Sequence, residues 1–192
     1  WMVSSFKFSV SSNALETVNS KLEALSRIVT YPEAIEYLLE LNLFGTKLGL
    51  DNPRCLAATA GSPHERLRFI HVAGTNGKGS VIAFLKSMIE AAGLTAHVYT
   101  SPHLEHFRER IAVQGVPIAD QALVGILEEC ETANGGAPIT FFEITTAAAF
   151  LAFARSAADF LLLEVGLGGR LDATNVVARP ALSIITPISI DH

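Results

Sequence analysis

The sequence predicts an α/β protein built on a doubly wound, mostly parallel sheet. Short apolar runs with the length of buried strands alternate with longer stretches that have helical periodicity. The runs 160–165 and 181–185 are almost continuously hydrophobic, as expected for parallel strands covered on both faces. The chain has 192 residues, which suits one domain, and 49% of them are hydrophobic, which is enough for a full core.

The first part of the chain is expected to contribute one helix and a long loop. Residues 1–30 are predicted to be an N-terminal extension, and residues 31–192 to form the folded domain. A helix is predicted over residues 31–41, because proline and an acidic residue are favoured in a first helical turn. Two glycines and a proline in residues 44–53 predict a loop.

From residue 65 onward, strands and helices alternate. Polar and apolar residues alternate in 110–114, which predicts a short strand that we expect to be antiparallel. The other predicted elements are a strand at 65–73, a helix at 81–92 ended by Gly93, a strand at 95–99, helices at 119–132 and 142–154, a loop at 134–136, and the strands 160–165 and 181–185.

The strongest functional signal is the run V-A-G-T-N-G-K-G-S at residues 72–80, between a predicted strand and helix. Glycines permit a tight turn with N–H groups directed inward, and the helix N-terminus adds free N–H groups and a positive dipole end. Lys78 can contact the outer phosphates of a nucleotide, and the Ser80 hydroxyl can face a phosphate or its Mg²⁺. The predicted phosphate-binding residues are Gly74, Thr75, Asn76, Gly77, Lys78, Gly79 and Ser80.

This run departs from the usual phosphate-loop pattern G-x-x-x-x-G-K-S/T. That pattern requires glycine at Val72 and serine or threonine at Gly79. An ordinary glycine-rich turn with a lysine at the helix start therefore stays open as an alternative for the loop taken alone.

Three polar residues lie at or after predicted strand C-termini, where ligands bind in open α/β sheets. Glu164 ends the strand 160–165, Ser101 follows the strand 95–99, and His192 follows the strand 181–185. One cleft can hold all three beside the phosphate loop, and the oxygen ligands among them suit Mg²⁺. Each also has a plainer interpretation: an acid that caps a helix or pairs with Arg170, a turn serine, and a surface histidine.

Two further segments have the composition of ligand-binding loops. Residues 166–175 are glycine-rich and polar, which favours either close approach of a ligand to the backbone or an ordinary surface connection. Phe141, Phe142 and Glu143 place two aromatic faces beside a carboxylate, which suits a flat heterocycle. Core phenylalanines followed by a helix-start acid explain the same residues equally well.

Charge and composition argue against several function classes. The net charge is −5 and there is no basic run, which disfavours non-specific nucleic-acid binding. No apolar run approaches the length of a membrane span. The two cysteines, Cys55 and Cys130, are far apart and lack a metal-ligand spacing, which is typical of reduced thiols in a cytoplasmic protein.

Taken in order, these motifs resemble the dihydrofolate synthase/folylpolyglutamate synthase family of the Mur ligase superfamily. Leu163–Asn175 is a highly specific part of the match, and Gly79 directly after Lys78 is the folate branch's form, where cell-wall members usually carry threonine. The similarity covers roughly residues 31–192 and rests on residues 71–80, 100–104, 108–111, 142–143, 163–176 and 190–192.

The resemblance implies a P-loop NTPase type of sheet and an ATP-dependent amide ligase. In such an enzyme, ATP with Mg²⁺ converts the carboxylate of dihydropteroate or folate into an acyl phosphate, which the amine of L-glutamate attacks. It implies catalytic roles for Lys78, Glu164 and His192, and Mg²⁺ binding by Ser101, Glu164 and His192. The implied substrate contacts are Lys47, Leu48, Gly49, Thr140, Phe141, Phe142, Glu143, Leu171, Asp172 and Ala173.

The family pattern continues beyond His192, so the resemblance implies a sheet that is incomplete at the C-terminus and a 192-residue chain that does not turn over alone. The alternatives are a Mur-type cell-wall amino-acid ligase, an inactive nucleotide-binding fragment and a simple phosphotransferase. We expect a cytoplasmic monomer that binds small molecules and neither nucleic acid nor membranes. Whether it makes dihydrofolate, extends polyglutamate tails or does both stays open.

Overall fold

The computed structural model describes residues 30–42, 49–59, 68–176 and 179–190. The expectations for the N-terminal extension up to residue 29 and for Lys47, Leu48 and His192 lie outside these ranges. The elements are α1 (Tyr31–Asn42), α2 (Asp51–Thr59), β1 (Phe69–Ala73), α3 (Lys78–Ala91), β2 (Ala96–Tyr99), β3 (Ile111–Val113), β4 (Val116–Pro117), α4 (Asp120–Asn134), α5 (Phe141–Ala154), β5 (Phe160–Glu164) and β6 (Leu182–Ile185), with short 3-10 helices at Phe107–Arg110 and Ala173–Val176.

The six described strands form one sheet in the order β4-β3-β2-β5-β1-β6. Strands β2, β5, β1 and β6 are parallel neighbours, whereas β3 is antiparallel to both β2 and β4. Strand β5 lies in the interior, and its Leu161, Leu162 and Leu163 are fully buried because both faces of the sheet are covered. The mostly parallel sheet and the short antiparallel strand after residue 110 confirm the sequence predictions.

Helices cover both faces of this sheet. On one face α1, α2, α4 and α5 surround a core that includes Tyr99, Phe150 and Phe153. On the other face α3 packs Ile82 against Val72. Strand β5 serves both cores, because side chains of a strand alternate between the two faces: Leu161 and Leu163 enter the first, and Leu162 the second. The doubly wound arrangement is therefore confirmed.

Two predicted boundaries are wrong for physical reasons. Helix α3 begins at Lys78 and not at Val81, because Gly77 adopts a left-handed conformation with φ 86° and the Val81 amide already donates to the Gly77 carbonyl at 3.0 Å. Residues 51–53 were predicted as loop but begin α2. Pro53 is tolerated there because first-turn amides have no intrahelical acceptor.

The two edges of the sheet end differently. Among the described strands β6 lies at one edge, where Leu182 and Ile185 are 49% and 70% exposed. The opposite edge is the short hairpin of β3 and β4. Within the described part of the chain, no helix is long and apolar enough to cross a membrane.

Candidate active site

The phosphate loop, residues 74–77, connects the carboxyl end of β1 to α3. Gly74 and Gly77 have φ values of 131° and 86°, which side-chain-bearing residues rarely adopt. The first N–H groups of α3 have no intrahelical acceptor, as in any α-helix, and no side chain caps them at Gly77. They can therefore bind an anion. The Lys78 ammonium lies over the loop and donates to the carbonyls of Gly74 at 2.9 Å and Thr75 at 3.3 Å.

A second segment, residues 186–189, stabilises the phosphate loop from outside. The Thr75 amide donates to the Pro187 carbonyl at 3.1 Å, and the Asn76 amide approaches the same oxygen at 3.5 Å. The Thr75 hydroxyl accepts from the Ser189 amide at 3.0 Å and donates to the Ser189 carbonyl at 3.1 Å. Two amides predicted to face phosphate are thus engaged, whereas the first amides of α3 have no intrahelical acceptor.

Gly74 also permits a close contact with the end of β6. A Cβ atom at this position would lie 2.1 Å from the Thr186 hydroxyl oxygen and 2.8 Å from the Thr186 carbonyl oxygen. Thr186 is fixed in turn, because its amide donates to the Ala73 carbonyl at 2.8 Å. The loop sequence therefore requires glycine at residue 74 for both conformation and space.

Glu164 and Ser101 meet at the carboxyl ends of β5 and β2. The Ser101 amide donates to Glu164 Oε2 at 3.2 Å, and the Glu164 side chain is 5% exposed. Burial raises the pKa of Glu164, while the Ser101 amide, Lys78 and Arg110 act in the opposite direction. The described residues contain no ion pair between Glu164 and Arg170, so that alternative for Glu164 is not supported.

The donor chemistry at this point fits Mg²⁺. A carboxylate and a hydroxyl are hard oxygen ligands, and Mg²⁺ in nucleotide sites keeps water and phosphate oxygens as its remaining ligands. No cluster of three His, Cys, Asp or Glu side chains suitable for a metal occurs in the described ranges. A site built from Glu164 and Ser101 is thus one that needs nucleotide oxygens, while the predicted ligand His192 lies beyond residue 190.

The loop after β5 is organised by its own carboxylate. Asp172 is 3% exposed and accepts hydrogen bonds from the Leu167 amide at 2.8 Å, the Thr174 amide at 3.0 Å and the Thr174 hydroxyl at 2.5 Å. Because that hydroxyl donates to Asp172, it accepts from His71 Nε2, which lies 2.9 Å away. Burial lowers the pKa of His71, and the Asp172 carboxylate opposes this in part.

The predicted substrate segments lie near this loop. The Gly49 amide donates to the Leu171 carbonyl at 3.2 Å, so the structure brings two of these segments together. Leu171 is half exposed and Ala173 is buried. The Phe142 ring lies against Gly166, where a Cβ atom would be 2.3 Å from Phe142 Cζ. A bulkier residue at the start of the loop would displace this ring.

Thr140 and Glu143 form a capping box at the start of α5. The Thr140 amide and hydroxyl donate to Glu143 Oε2 at 2.8 and 2.9 Å, and the Glu143 amide donates back to the Thr140 hydroxyl at 3.3 Å. The helix-start interpretation of Glu143 is therefore correct, and its contact with substrate stays a prediction. Phe141 packs edge-on against Phe107, with ring centroids 5.8 Å apart.

Arg110 and His103 lie in the same region, and the sequence motifs that contain them predict no role for either residue. Arg110 is 8% exposed, and its Nε donates to His103 Nδ1 at 2.8 Å. A charged residue at the start of an apolar strand was the available signal. Its burial depends on Phe107 and Phe141, which are distant from each other in sequence, so the pattern alone could not indicate it.

Comparison with known proteins decides the family, although no protein-family model matches the chain. A dihydrofolate synthase/folylpolyglutamate synthase of Bacillus subtilis (strain 168) is 46% identical over 170 residues, which cover 84% of this chain and 39% of that protein. This chain belongs to the dihydrofolate synthase/folylpolyglutamate synthase family. An Escherichia coli member of the family is 40% identical over 158 residues, with 82% of this chain and 37% of that protein covered.

Solved structures of the same family share the fold. Escherichia coli FolC in complex with DHPP and ADP matches with a TM-score of 0.76 and 38% identity, over 82% of this chain and 39% of that one. A Yersinia pestis c092 bifunctional folylpolyglutamate synthase/dihydrofolate synthase complexed with AMPPNP and Mn ion matches with a TM-score of 0.78 and 35% identity, over 85% and 40% of the two chains. The family and the fold predicted from the sequence motifs are therefore confirmed, and the chain spans about two fifths of the length of these relatives.

Proposed function

We propose that the protein is an ATP-dependent amide ligase that joins L-glutamate to dihydropteroate, to a folylglutamate or to both, through an acyl phosphate. The observation that carries the proposal is the convergence at one sheet edge of uncapped helix amides, Lys78 and the pair Ser101–Glu164. A binding site for phosphates thereby adjoins a site for a divalent cation. Phosphoryl transfer from ATP needs both, because its catalysis consists mainly of positioning and charge stabilisation.

In this proposal the chain supplies binding and orientation and does not supply a nucleophile. Lys78 exchanges its loop carbonyls for the outer phosphates, and the first amides of α3 bind their remaining oxygens. Ser101, Glu164 and His192 would hold Mg²⁺. When bound, that ion neutralises the charge of the transferring phosphoryl group.

The acid substrate is proposed to bind on the side of the loop after β5. Asp172 fixes that loop, Gly49 contacts it, and Phe142 lies at its start. The names of the relatives and the DHPP bound to the Escherichia coli structure support a pterin acid as this substrate. Both observations, and Gly79 as well, favour a pterin acid over a cell-wall nucleotide as the substrate.

We further propose that residues 31–192 belong to an ATP-binding domain preceded by the extension 1–30. The protein is proposed to be a cytoplasmic monomer with small-molecule substrates. The relatives are more than twice as long as the region matched here, since this chain covers 39% of the Bacillus subtilis protein. We therefore propose that the 192 residues alone bind ATP weakly and form no ligation product.

Trapping the intermediate tests the proposed reaction. The protein in its full natural length is incubated with ATP, Mg²⁺, dihydropteroate and hydroxylamine, and the expected product is a hydroxamate formed together with ADP. Replacing hydroxylamine by L-glutamate is expected to give dihydrofolate, and dihydrofolate offered as the acid distinguishes chain extension. ADP release without hydroxamate or glutamyl product contradicts the proposal, and ligation only with a cell-wall nucleotide substrate supports the Mur-type alternative.

A further inference from the structure

Arg110 is fixed at the active edge of the sheet by its backbone. It ends the 3-10 helix 107–110 directly before β3, and its carbonyl accepts from the Thr100 amide at 3.1 Å. Thr100 immediately precedes Ser101, so Arg110 lies beside the strand end that carries a proposed Mg²⁺ ligand. The Ser101 amide donates to Glu164 Oε2 at 3.2 Å, so Arg110 and Glu164 lie in the same region.

The Arg110 guanidinium is buried without a direct ion pair among the described residues. Its carbon lies 5.6 Å from the Phe107 ring centroid and 5.1 Å from that of Phe141, and Nε donates to His103. Among residues 30–42, 49–59, 68–176 and 179–190, no carboxylate forms an ion pair with it, and no acceptor binds its terminal nitrogens. Buried arginines are almost always paired, because an isolated buried charge costs several kcal/mol.

His103 orients this guanidinium. Because Nδ1 accepts from Arg110, the proton of the neutral ring is on Nε2, and His103 presents a further donor. The two side chains thus present only donors, a set that suits a planar anion and above all a carboxylate.

We propose that Arg110, oriented by His103, binds the carboxylate of the acid substrate and so determines that an aryl carboxylate is accepted. The inference rests on the proposed ligase function and deepens it. The aromatic faces of Phe107 and Phe141 adjoin the guanidinium, so an aromatic ring bearing a carboxylate matches both the apolar and the charged part. Phe141 also belongs to the segment that was predicted to contact the acid substrate, which favours this acid over glutamate as the source of the carboxylate.

Steady-state kinetics of the full-length protein test the assignment with Arg110→Met and Arg110→Lys. Arg110→Met is expected to raise the KM for dihydropteroate at least about tenfold, the loss typical of a charged hydrogen bond, with the KM values for ATP and L-glutamate nearly unchanged. Arg110→Lys is expected to lie between wild type and Arg110→Met. Arg108→Met is the matched control, because Arg108 lies on the same helix but pairs with Asp120 at 3.2 Å on the surface.

The remaining outcomes either overturn the inference or show that the proposed ligase function itself fails. If wild type forms no glutamyl product from either dihydropteroate or dihydrofolate, the ligase function fails irrespective of Arg110. If wild type is active and Arg110→Met raises the KM for glutamate instead, the guanidinium binds the amino acid. If no KM changes while the protein loses stability, Arg110 only packs Phe107 and Phe141. Both results overturn the assignment.

A binding measurement keeps the test valid if Arg110→Met does not fold. Calorimetry compares dihydropteroate with its analogue lacking the carboxylate, using wild type and Arg110→Lys. Wild type is expected to prefer the acid at least about tenfold, and Arg110→Lys to show a smaller preference. Equal affinity of wild type for both compounds overturns the inference.

Discussion

Two glycine-rich loops leave the adjacent strands β1 and β5 at the same edge of the sheet, and they are ordered in opposite ways. The phosphate loop is held by contacts from outside it. Residues 186–189 hydrogen-bond to the loop, and the Lys78 ammonium donates to the Gly74 carbonyl. The loop after β5 is held from inside, because the buried Asp172 carboxylate accepts three hydrogen bonds from residues 167 and 174.

The difference shows that glycine content alone does not tell what orders a loop. In the phosphate loop the glycines are required by backbone conformation, and Gly74 also by the contact with Thr186, so no buried side chain of the loop is needed to order it. In the second loop the Asp172 carboxylate provides the order, and Asp172 itself is buried. Substitutions should therefore act on backbone geometry in one loop and on a hydrogen-bond network in the other.

Replacing Gly74 by alanine is expected to have the largest effect on stability. The new methyl group would contact Thr186 at 2.1 and 2.8 Å, and alanine disfavours a φ of 131°. Strain and overpacking together should lower the free energy of unfolding by about 4 kcal/mol. Urea unfolding of the full-length protein measures this loss.

Gly79→Ala is the control for that prediction. Gly79 lies in the same glycine-rich run but inside α3, where a Cβ atom meets nothing within 4 Å. Its free energy of unfolding should change by no more than about 1 kcal/mol. Equal losses in the two variants would show that the contact with Thr186 does not determine the loop.

Asp172→Ala is expected to have the next largest effect, because it removes a buried carboxylate that accepts from three donors. The free energy of unfolding should fall by about 3 kcal/mol, since buried donors without acceptors retain their desolvation cost. Asp120→Ala is a matched control at an exposed ion pair with Arg108, where the loss should stay below about 1 kcal/mol. Similar losses in both variants would show that the hydrogen bonds to Asp172 do not order the loop after β5.

Lys78→Ala is expected to affect ligand binding more than folding. The affinity for ATP with Mg²⁺ should fall at least about tenfold, or roughly 1.4 kcal/mol, as measured by calorimetry. Lys86→Ala provides the control, because Lys86 lies on the same helix and pairs with Glu90 at 3.1 Å. Unchanged affinity in Lys78→Ala would remove the lysine from the proposed phosphate site.

The smallest expected effect is the contribution of His71 to the pH dependence of the free energy of unfolding. Burial lowers the pKa of His71 below its usual 6.5, so the unfolded chain takes up a proton more readily than the folded one. The stabilisation is complete above pH 6.5 and decreases as the pH falls below it. His71→Gln keeps a donor for Thr174 but cannot titrate, and it should reduce this loss of stability.

Unfolding free energies at pH 7.5 and pH 5.5 are the measurement for His71. The slope should become shallower in His71→Gln without vanishing, because burial also lowers the pKa of His97. An unchanged slope would mean that protonation of His71, where β1 contacts the loop after β5, does not contribute to the loss of stability at low pH.

Much of the fold followed from local patterns in the sequence. The apolar run at residues 160–165 indicated a buried central strand, and residues 110–114 a short antiparallel one, because burial and alternation are properties of consecutive residues. Helix α2 was missed because Pro53 was treated as a breaker, although a first turn accepts proline. The start of α3 was placed too late because the left-handed conformation of Gly77 cannot be recognised from composition.

The sequence indicated single residues of the candidate site but not the contacts between them. The motif order indicated Lys78, Ser101, Glu164 and Asp172, and strand direction placed the first three at one edge. The contacts of Thr75 with Ser189, of His71 with Thr174 and of Arg110 with His103 join residues that only the tertiary structure brings together. Their geometry depends on sheet register, which single-sequence patterns do not determine.

The contact between the phosphate loop and residues 187–189 would give a bound nucleotide, as proposed above, a route to affect the chain beyond β6. The Ser189 amide donates to the Thr75 hydroxyl, and the Pro187 carbonyl accepts from the Thr75 amide, so tightening of the loop around phosphate also tightens this segment. Exchange of the Ser189 amide with deuterated solvent should consequently slow when ATP binds. That single amide would then report occupancy of the nucleotide site from a position outside it.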